Sequence, residues 1–159
     1  MESTADRSPE RVYLVGRFAM SDNKERELGT TLDIKLDSAG LFTAVAVDAD
    51  TNEVLMVAFM NQAALEKTIA TGKATYWSRS RQKFWVKGEE SGHVQEVREL
   101  LVDCDQDAVV MKVRQKGAAC HNGFRSCFYR KIVAGNNSSE AKLEFVLQRQ
   151  VDPAGIYKK

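Results

Sequence analysis

The stretch LFTAVAV, residues 41–47, and the stretch VLMVAF, residues 54–59, flank the polar segment DADTNE of residues 48–53. Both outer runs are short, apolar and partly β-branched, which is typical of β-strands. The polar segment between them is a cluster of turn-forming residues. The pattern predicts a β-hairpin over residues 41–59, and the compact part of the chain begins slightly earlier, near Leu32.

A short helix is predicted directly after this hairpin. Asn61 is a suitable N-cap, because its side chain can accept hydrogen bonds from the free backbone amides of the first helical turn. Residues 62–70 then favour a helix, in which Leu65 and Ile69 fall one turn apart on one face. Gly72 is well placed to end it.

The rest of the chain predicts further short strands separated by polar turns. The strand candidates are residues 74–77, 84–86, 94–102, 108–113, 128–133 and 143–147. Residues 117–126 contain two glycines and predict a loop, and residues 135–139 predict a linker.

The composition is that of one ordinary globular domain. The chain has 159 residues, of which 43% are hydrophobic and 28% charged, and its net charge is +1. Global electrostatics therefore does not indicate a nucleic-acid or membrane binder. No apolar run approaches the roughly 18 residues of a membrane helix. Three cysteines cannot all form disulfides with one another, so we expect a reducing compartment and a cytoplasmic location.

Three acids and a cysteine lie within five residues, Asp103-Cys104-Asp105-Gln106-Asp107. In an extended segment the aspartates would share one face and Cys104 would point to the other. Carboxylate oxygens suit Mg²⁺. The outer two aspartates would be roughly 13 Å apart on a straight strand, so three direct ligands require a bend near Gln106. A solvated turn without metal is the alternative.

Of the other two cysteines, Cys120 lies in the predicted loop of residues 117–126, and Cys127 directly follows that loop. Three protein ligands with one open position are the pattern of a catalytic zinc, which lowers the pKa of bound water to about 7. Three unrelated buried thiols are the alternative. His121 directly follows one proposed ligand and could manage protons there, and His93 is a second catalytic candidate.

A basic and aromatic stretch occupies residues 73–87. Its side chains are Lys73, Tyr76, Trp77, Arg79, Arg81, Lys83, Phe84, Trp85 and Lys87. Aromatic faces stack on bases, and guanidinium groups bind phosphates. The stretch therefore suits a nucleotide. One alternative is an amphipathic hairpin, and another is a zinc-stabilised module that binds single-stranded nucleic acid.

Six segments together resemble the motifs of the phosphoribosyl-AMP cyclohydrolase family. They are residues 54–61, VLMVAFMN; 76–81, YWSRSR; 85–93, WVKGEESGH; 103–107, DCDQD; 119–123, ACHNG; and 125–130, RSCFYR. The resemblance extends over about residues 32–132. It implies a cyclohydrolase core at 32–132, an N-terminal extension at 1–31 and a C-terminal extension at 133–159. The family's fused pyrophosphatase domain would not fit in the last 27 residues, so we expect no second catalytic domain.

The resemblance also implies a fold and an assembly. The expected fold is α+β but predominantly β, with a small, mostly antiparallel, barrel-like sheet capped by a short helix. The expected assembly is an intertwined homodimer in which both subunits contribute zinc ligands. By the family pattern, Cys104, Cys120 and Cys127 would bind zinc, and Asp103, Asp105 and Asp107 would bind magnesium.

The implied activity is a step of histidine biosynthesis. The family hydrolyses phosphoribosyl-AMP, opening the adenine ring, a cyclic amidine, between nitrogen 1 and carbon 6. Zinc-bound hydroxide would attack carbon 6, while His121 manages protons. Arg79, Arg81 and Lys87 are candidates for holding the substrate's phosphates, and Trp77 or Trp85 for stacking on the base. We expect no nucleic-acid or membrane partner.

Overall fold

The structure is a computed structural model that describes residues 22–156. Its elements, in chain order, are α1 (Asp22–Leu28), β1 (Phe42–Asp48), β2 (Val54–Met60), α2 (Gln62–Thr71), β3 (Thr75–Ser78), β4 (Lys83–Val86), β5 (Gln95–Val102), β6 (Ala108–Gln115), β7 (Arg130–Val133), β8 (Lys142–Phe145) and α3 (Pro153–Ile156). None of these helices has the length and apolar character that crossing a membrane requires.

Six strands form one sheet in the order β4-β3-β2-β1-β6-β5. The predicted hairpin of β1 and β2 is its antiparallel centre, with Ala44 opposite Ala58. β1 pairs with β6 in parallel, and the remaining neighbours are antiparallel. The sheet curls into a half-barrel, so the prediction of a small, mostly antiparallel, barrel-like fold is confirmed.

Helix α2 packs against β2 and β3 and covers the apolar core. Asn61 caps its start by accepting the backbone N–H of Ala64 at 2.8 Å, as predicted. Gly72 ends it in the left-handed conformation, with φ 66°. The buried face differs from the sequence expectation, because Leu65 is buried whereas Ile69 is 55% exposed. The helix turns Thr68 inward instead, and its hydroxyl donates to the Ala64 carbonyl.

A second, two-stranded sheet of β7 and β8 follows the loop of residues 116–129. An isolated two-stranded hairpin is marginally stable in water, so it needs an anchor. Tyr129 provides one by stacking on Phe124 at 3.8 Å between ring centroids, with Phe145 of β8 beside both rings. The chain then runs on to α3, which the sequence pattern did not predict.

Strand β6 separates the two groups of candidate ligands. The turn at residues 103–107 enters β6, and the loop with Cys120 and Cys127 leaves it. An eight-residue strand spans roughly 25 Å. Cys104 therefore lies at the opposite end of β6 from the other two thiols within one chain.

Candidate active site and metal centres

The five residues 103–107, which we call the acid turn, are not extended. Asp103 Oδ1 accepts the backbone N–H groups of Asp107 at 3.0 Å and Ala108 at 3.1 Å, which closes the turn. The expectation of a strand with alternating faces is therefore wrong. The bend required near Gln106 is confirmed, because that residue has φ 59°. As a result, one carboxylate oxygen from each aspartate lies within 4.8 Å of the other two.

The side chain of Gln106 fastens this turn to the segment that precedes β1. Gln106 is 4% exposed. Its Oε1 accepts the Asp33 N–H at 2.7 Å, and its Nε2 donates to the carbonyls of Arg26 at 2.8 Å and Thr31 at 3.1 Å. The buried amide thus has partners on both ends, and it holds the acid turn against residues 26–33.

The same preceding segment places a cation on the acid turn. Lys35 Nζ lies 2.9 Å from Asp105 Oδ2 and 3.8 Å from Asp107 Oδ2. The hydrogen bond from Lys35 lowers the pKa of Asp105, whereas the charge of Asp105 raises the pKa of Asp107. The Lys35 ammonium thus partly neutralises the negative charge of the aspartates, as a bound cation would. Clustered carboxylate oxygens are the donors that Mg²⁺ prefers. The acid turn therefore fits a hard divalent cation.

At the other end of β6, residues 117–127 form a small hairpin that we call the thiol loop. Ala119 N donates to Arg125 O, and Cys120 N donates to Phe124 O, both at 3.0 Å. These two rungs bring Cys120 towards Cys127, whose own N–H donates to the Leu55 carbonyl of β2 at 2.7 Å.

The two thiols are neighbours in the thiol loop and influence each other's ionisation. Partial shielding of its sulfur from water, followed by the charge of Cys120, raises the pKa of the Cys127 thiol to about 12. Cys120 Sγ also accepts the Asn122 N–H at 3.5 Å. Burial lowers the pKa of the neighbouring Lys87, and the negative charge that Cys127 and Cys120 carry as thiolates opposes this shift. A metal would convert the thiols to thiolates, for which the N–H donor and the buried ammonium are suitable partners. The pair fits half of a zinc site.

The structure does not bring all three predicted zinc ligands together within one chain. Among residues 22–156, the only cluster of three or more potential metal ligands within 4.8 Å is that of the three aspartates. Cys104 is exposed in the acid turn, whereas in the thiol loop Cys120 is buried and Cys127 is exposed.

A cavity of about 430 Å³ lies beside the thiol loop. Four of the predicted site residues line it: Arg81, Trp85, Lys87 and His121. Trp85 is tilted against Tyr76, with ring centroids 5.3 Å apart, and Lys87 Nζ lies 5.6 Å from the centre of the Trp85 ring. The cavity thus combines basic side chains, one indole face and the imidazole of His121, the residue that follows Cys120 in the sequence.

The other predicted site residues lie outside the lining of this cavity. Trp77 packs edge-on against Phe84, with centroids 5.4 Å apart, and the Arg79 guanidinium lies 4.0 Å over the Phe59 ring. His93 Nδ1 is 3.2 Å from the Ala118 carbonyl oxygen. Because a carbonyl only accepts, Nδ1 carries the proton there and Nε2 of the neutral ring is left as the acceptor.

Part of the cavity wall was not predicted from the sequence. Lys83 and Phe84 of the basic and aromatic stretch also line the cavity, and the unpredicted lining residues are Val86, Gly88, Glu89, Glu90 and Ser91. The available signal was the pair of glycines that flank the tight turn: Gly88 has φ 83° and Gly92 has φ 75°. A side chain at Gly88 would collide with the backbone of His93 and Val94. The close approach holds the turn against β5, and so shapes the cavity mouth.

The ion pairs that hold the thiol loop were not predicted from the sequence either. Arg125 donates to Asp48, the last residue of β1, at 2.6 Å and to Glu53, in the turn that leads to β2, at 3.0 Å. Ser126 Oγ donates to the Val54 carbonyl at 2.7 Å. These contacts join residues that are more than 70 positions apart in the sequence. A pattern confined to one segment could not reveal them.

Comparisons with known proteins place this chain in a family of enzymes. The family model described as phosphoribosyl-AMP cyclohydrolase matches residues 56–129, a range that includes the cavity wall, the acid turn and the thiol loop.

Three relatives carry the name phosphoribosyl-AMP cyclohydrolase. The protein of Methanococcoides burtonii is 56% identical over 124 residues, which cover 78% of this chain and 95% of that protein. The protein of Rhodopseudomonas palustris strain TIE-1 is 54% identical, covering 84% of this chain and 89% of its own length. The protein of Hyphomonas neptunium is 62% identical, covering 69% and 84%. The chain belongs to the phosphoribosyl-AMP cyclohydrolase family, as its motifs indicated.

Proposed function

We propose that this chain hydrolyses phosphoribosyl-AMP, opening the adenine ring between nitrogen 1 and carbon 6, as a step of histidine biosynthesis. One observation carries the proposal: the cavity that His121, Trp85 and three basic residues line is next to the paired thiols Cys120 and Cys127. Membership of a family named for this reaction supports it.

Substrate binding is assigned to the cavity. Arg81 and Lys87 on its wall suit the phosphates of a nucleotide, because both present charged N–H donors. Lys83 adds a third positive charge to the same wall. Trp85 offers a face for the base. Arg79 and Trp77 remain proposals for binding the remainder of the substrate, since they lie on the same β3–β4 hairpin.

Proton transfer is assigned to His121, with His93 as a second proposal. His121 is exposed to the cavity and adjacent in sequence to a buried thiol, so its imidazole can reach both solvent and a reacting base. A zinc ion held by the thiolates would supply a bound water whose pKa is lowered to about 7. The role of His121 is to hold or release a proton as carbon 6 gains its oxygen and nitrogen 1 leaves.

We propose that the zinc ligands come from two subunits of a homodimer. Cys120 and Cys127 of one chain would bind with Cys104 of the second, because Cys104 lies about one strand length away within its own chain. Exposed apolar side chains support such an interface. Leu101 and Val102, 43% exposed each, immediately precede the acid turn, and Val54 and Val57, 43% and 45% exposed, lie on the strand that holds the thiol loop.

Magnesium is proposed for the acid turn. Asp103, Asp105 and Asp107 would bind it together with water, since Mg²⁺ commonly retains several waters and also binds phosphate oxygens. Lys35 would have to leave Asp105 for the cation to bind fully. In the homodimer this acid turn would bring magnesium near the partner's cavity, where the substrate phosphates are expected.

The segments on either side of the proposed core, 32–132, are assigned as extensions. Within 1–31, the carbonyls of Arg26 and Thr31 bond to Gln106 of the acid turn. Within 133–159, the N–H groups of Gln150 and Val151 donate to the Gly123 carbonyl of the thiol loop. Both extensions therefore support a candidate metal site, which favours a structural role. A cytoplasmic location stays a prediction.

The alternative function, a module for single-stranded nucleic acid, requires a row of exposed aromatic faces along a basic groove. Tyr76 is fully buried, and Trp77 packs edge-on against Phe84. Trp85 instead lines the cavity beside the thiol loop. The aromatic stretch is therefore better suited to one nucleotide than to a strand.

The test is to incubate the purified, zinc-loaded protein with phosphoribosyl-AMP and to follow the ultraviolet absorbance change of ring opening. Metal content is measured on the same sample. We expect turnover that Cys120→Ser removes together with the zinc. Zinc-loaded protein that leaves the substrate unchanged would contradict the proposed function.

A further inference from the structure

We propose that Arg125 is a positioning residue for the thiol pair. By clamping the thiol loop onto the turn between β1 and β2, it sets the separation of Cys120 and Cys127, and thereby the affinity of this half-site for zinc. The inference rests on the proposed function, because it takes zinc as the ligand of the thiols.

Asp48, the first ion-pair partner of Arg125, is held rigidly. Asp48 is 6% exposed, and its Oδ1 already accepts the N–H groups of Asp50 at 3.1 Å and Thr51 at 2.9 Å. Its Oδ2 is left for Arg125, which approaches to 2.6 Å. Burial tends to raise the pKa of Asp48, but the hydrogen bonds from Thr51 and Asp50 and the charge of Arg125 lower it below its ordinary value. The carboxylate is thus ionised and fixed in place.

A second ion pair fixes the orientation of the guanidinium group. Arg125 Nε donates to Glu53 Oε2 at 3.0 Å, on the opposite side of the same turn from Asp48. A planar guanidinium held at two of its nitrogens cannot rotate freely, whereas an ammonium at this position could satisfy one partner at a time. The side chain is also partly shielded from solvent, with 30% exposure, so its ion pairs constrain geometry more than surface pairs do.

The clamp reaches the thiols through the backbone of the thiol loop. The Arg125 carbonyl accepts the N–H of Ala119, the residue before Cys120, at 3.0 Å. Two positions after Arg125, the Cys127 N–H is bonded to the Leu55 carbonyl. Arg125 therefore lies between the two cysteines and ties the Cys120 side of the loop to the same hairpin that holds Cys127. Without it, Asp48 loses its charged partner and the Cys120 side can move relative to Cys127.

The experiment compares the zinc affinity of wild-type protein with that of Arg125→Met, by competition with a chromophoric chelator under reducing conditions at fixed pH. We expect affinity to fall by about 10- to 100-fold, the usual effect of losing a group that orients metal ligands. Arg125→Lys should recover part of the loss. The matched control is Arg98→Met, which removes a surface ion pair with Glu96 on β5 and should leave zinc affinity unchanged.

Two further measurements separate positioning from general stability. Cobalt substitution reports thiolate geometry, and we expect the ligand-field bands of Arg125→Met to shift from those of wild type. Melting of the metal-free proteins in chelator reports fold stability. Arg125→Met that melts earlier, yet keeps wild-type zinc affinity and cobalt bands, would overturn the inference. If Arg125→Met does not fold, Glu53→Gln replaces it in the affinity measurement, because this variant keeps the ion pair between Arg125 and Asp48. We expect Glu53→Gln to weaken zinc binding by about three- to tenfold.

The failure of this inference and the failure of the proposed function give different results. If wild-type protein binds zinc through its thiols and the Arg125 and Glu53 variants bind it equally well, only the positioning role is lost. If wild-type protein binds no zinc through its thiols, the proposed zinc site and the positioning role are both lost.

Discussion

The two ends of β6 carry candidate metal sites that are built in opposite ways. The acid turn is mostly exposed, is closed by hydrogen bonds to Asp103, and places its carboxylates around the ammonium of Lys35. The thiol loop is mostly buried, is closed by backbone rungs, and is clamped to a distant turn by Arg125. The geometry of the acid turn therefore depends on exposed charges, whereas the geometry of the thiol loop depends on packing.

This difference follows the chemistry of the two proposed metals. Magnesium dehydrates reluctantly and keeps waters, so an exposed, adjustable set of oxygens is sufficient. Zinc with thiolates requires a tetrahedral set held at about 2.3 Å, so its ligands need a firm framework. Substitutions should therefore have large effects at the buried end and modest effects at the exposed end, with Cys104 as the informative exception.

The largest expected effect is at the thiols. Cys104→Ser and Cys120→Ser should each abolish zinc binding and turnover, because three thiolates are needed for one site. Asp105→Asn, a change beside Cys104, is the control and should keep zinc while weakening magnesium. Zinc content and turnover are measured for each variant. Cys104→Ser protein with full zinc content would assign the zinc to the thiol loop alone.

His121→Asn tests the proposed proton transfer at the thiol loop. Turnover should fall by a factor of about 10² to 10⁴ with zinc retained, the usual range for a lost general acid or base. His93→Asn is the comparison variant, and we expect a smaller loss because asparagine can still donate to the Ala118 carbonyl. Single-turnover kinetics and metal analysis decide the outcome. An unchanged rate in His121→Asn would exclude the assigned role.

Lys35→Gln tests the exposed end. Its ammonium competes with a cation for Asp105 and Asp107, so its removal should tighten Mg²⁺ binding by about fivefold, as expected for a surface charge pair. Titration calorimetry with Mg²⁺ measures the change. Lys24→Gln, on exposed α1, is the control for the loss of one positive charge. Weaker Mg²⁺ binding in Lys35→Gln would show that the lysine assists the cation rather than competing with it.

Acidification should affect the clamp only slightly. The pKa of folded Asp48 is below its ordinary value of 3.8, so its ionised form stabilises the fold above that pH. This contribution is lost as pH falls through the lower, folded pKa, at roughly 1.4 kcal/mol per unit of difference. Denaturant unfolding of wild type and Asp48→Asn from pH 5 to pH 2 measures it. Equal slopes in the two proteins would contradict the assignment.

Much of the fold was predictable because its signals are local. The hairpin of β1 and β2 follows from two apolar runs around a turn cluster, and α2 follows from Asn61 and Gly72. The exposed Ile69 was not predictable, because helical spacing alone does not show which part of an apolar face meets the sheet. Helix α3 has four residues and no strong local signal.

The candidate site was predictable in its chemistry but not in its geometry. Ligand types could be read from Asp103 to Asp107 and from the cysteines, and the required bend followed from strand dimensions. The contacts of Lys35 with the acid turn and of Arg125 with Asp48 join residues about 70 or more positions apart. The pairing of such residues depends on the order of strands in the sheet, which no single segment encodes.

The central claim is that opposite ends of β6, on two different subunits, complete one zinc site. It is tested by co-expressing Cys104→Ser with the double variant Cys120→Ser/Cys127→Ser under separate affinity tags. Each variant alone should be inactive and lack site zinc. A symmetric dimer that mixes at random should regain about a quarter of wild-type sites, because half of the dimers are mixed and each contains one intact set. Mixed dimers that stay free of zinc and inactive, although both tags are present, would contradict the shared site.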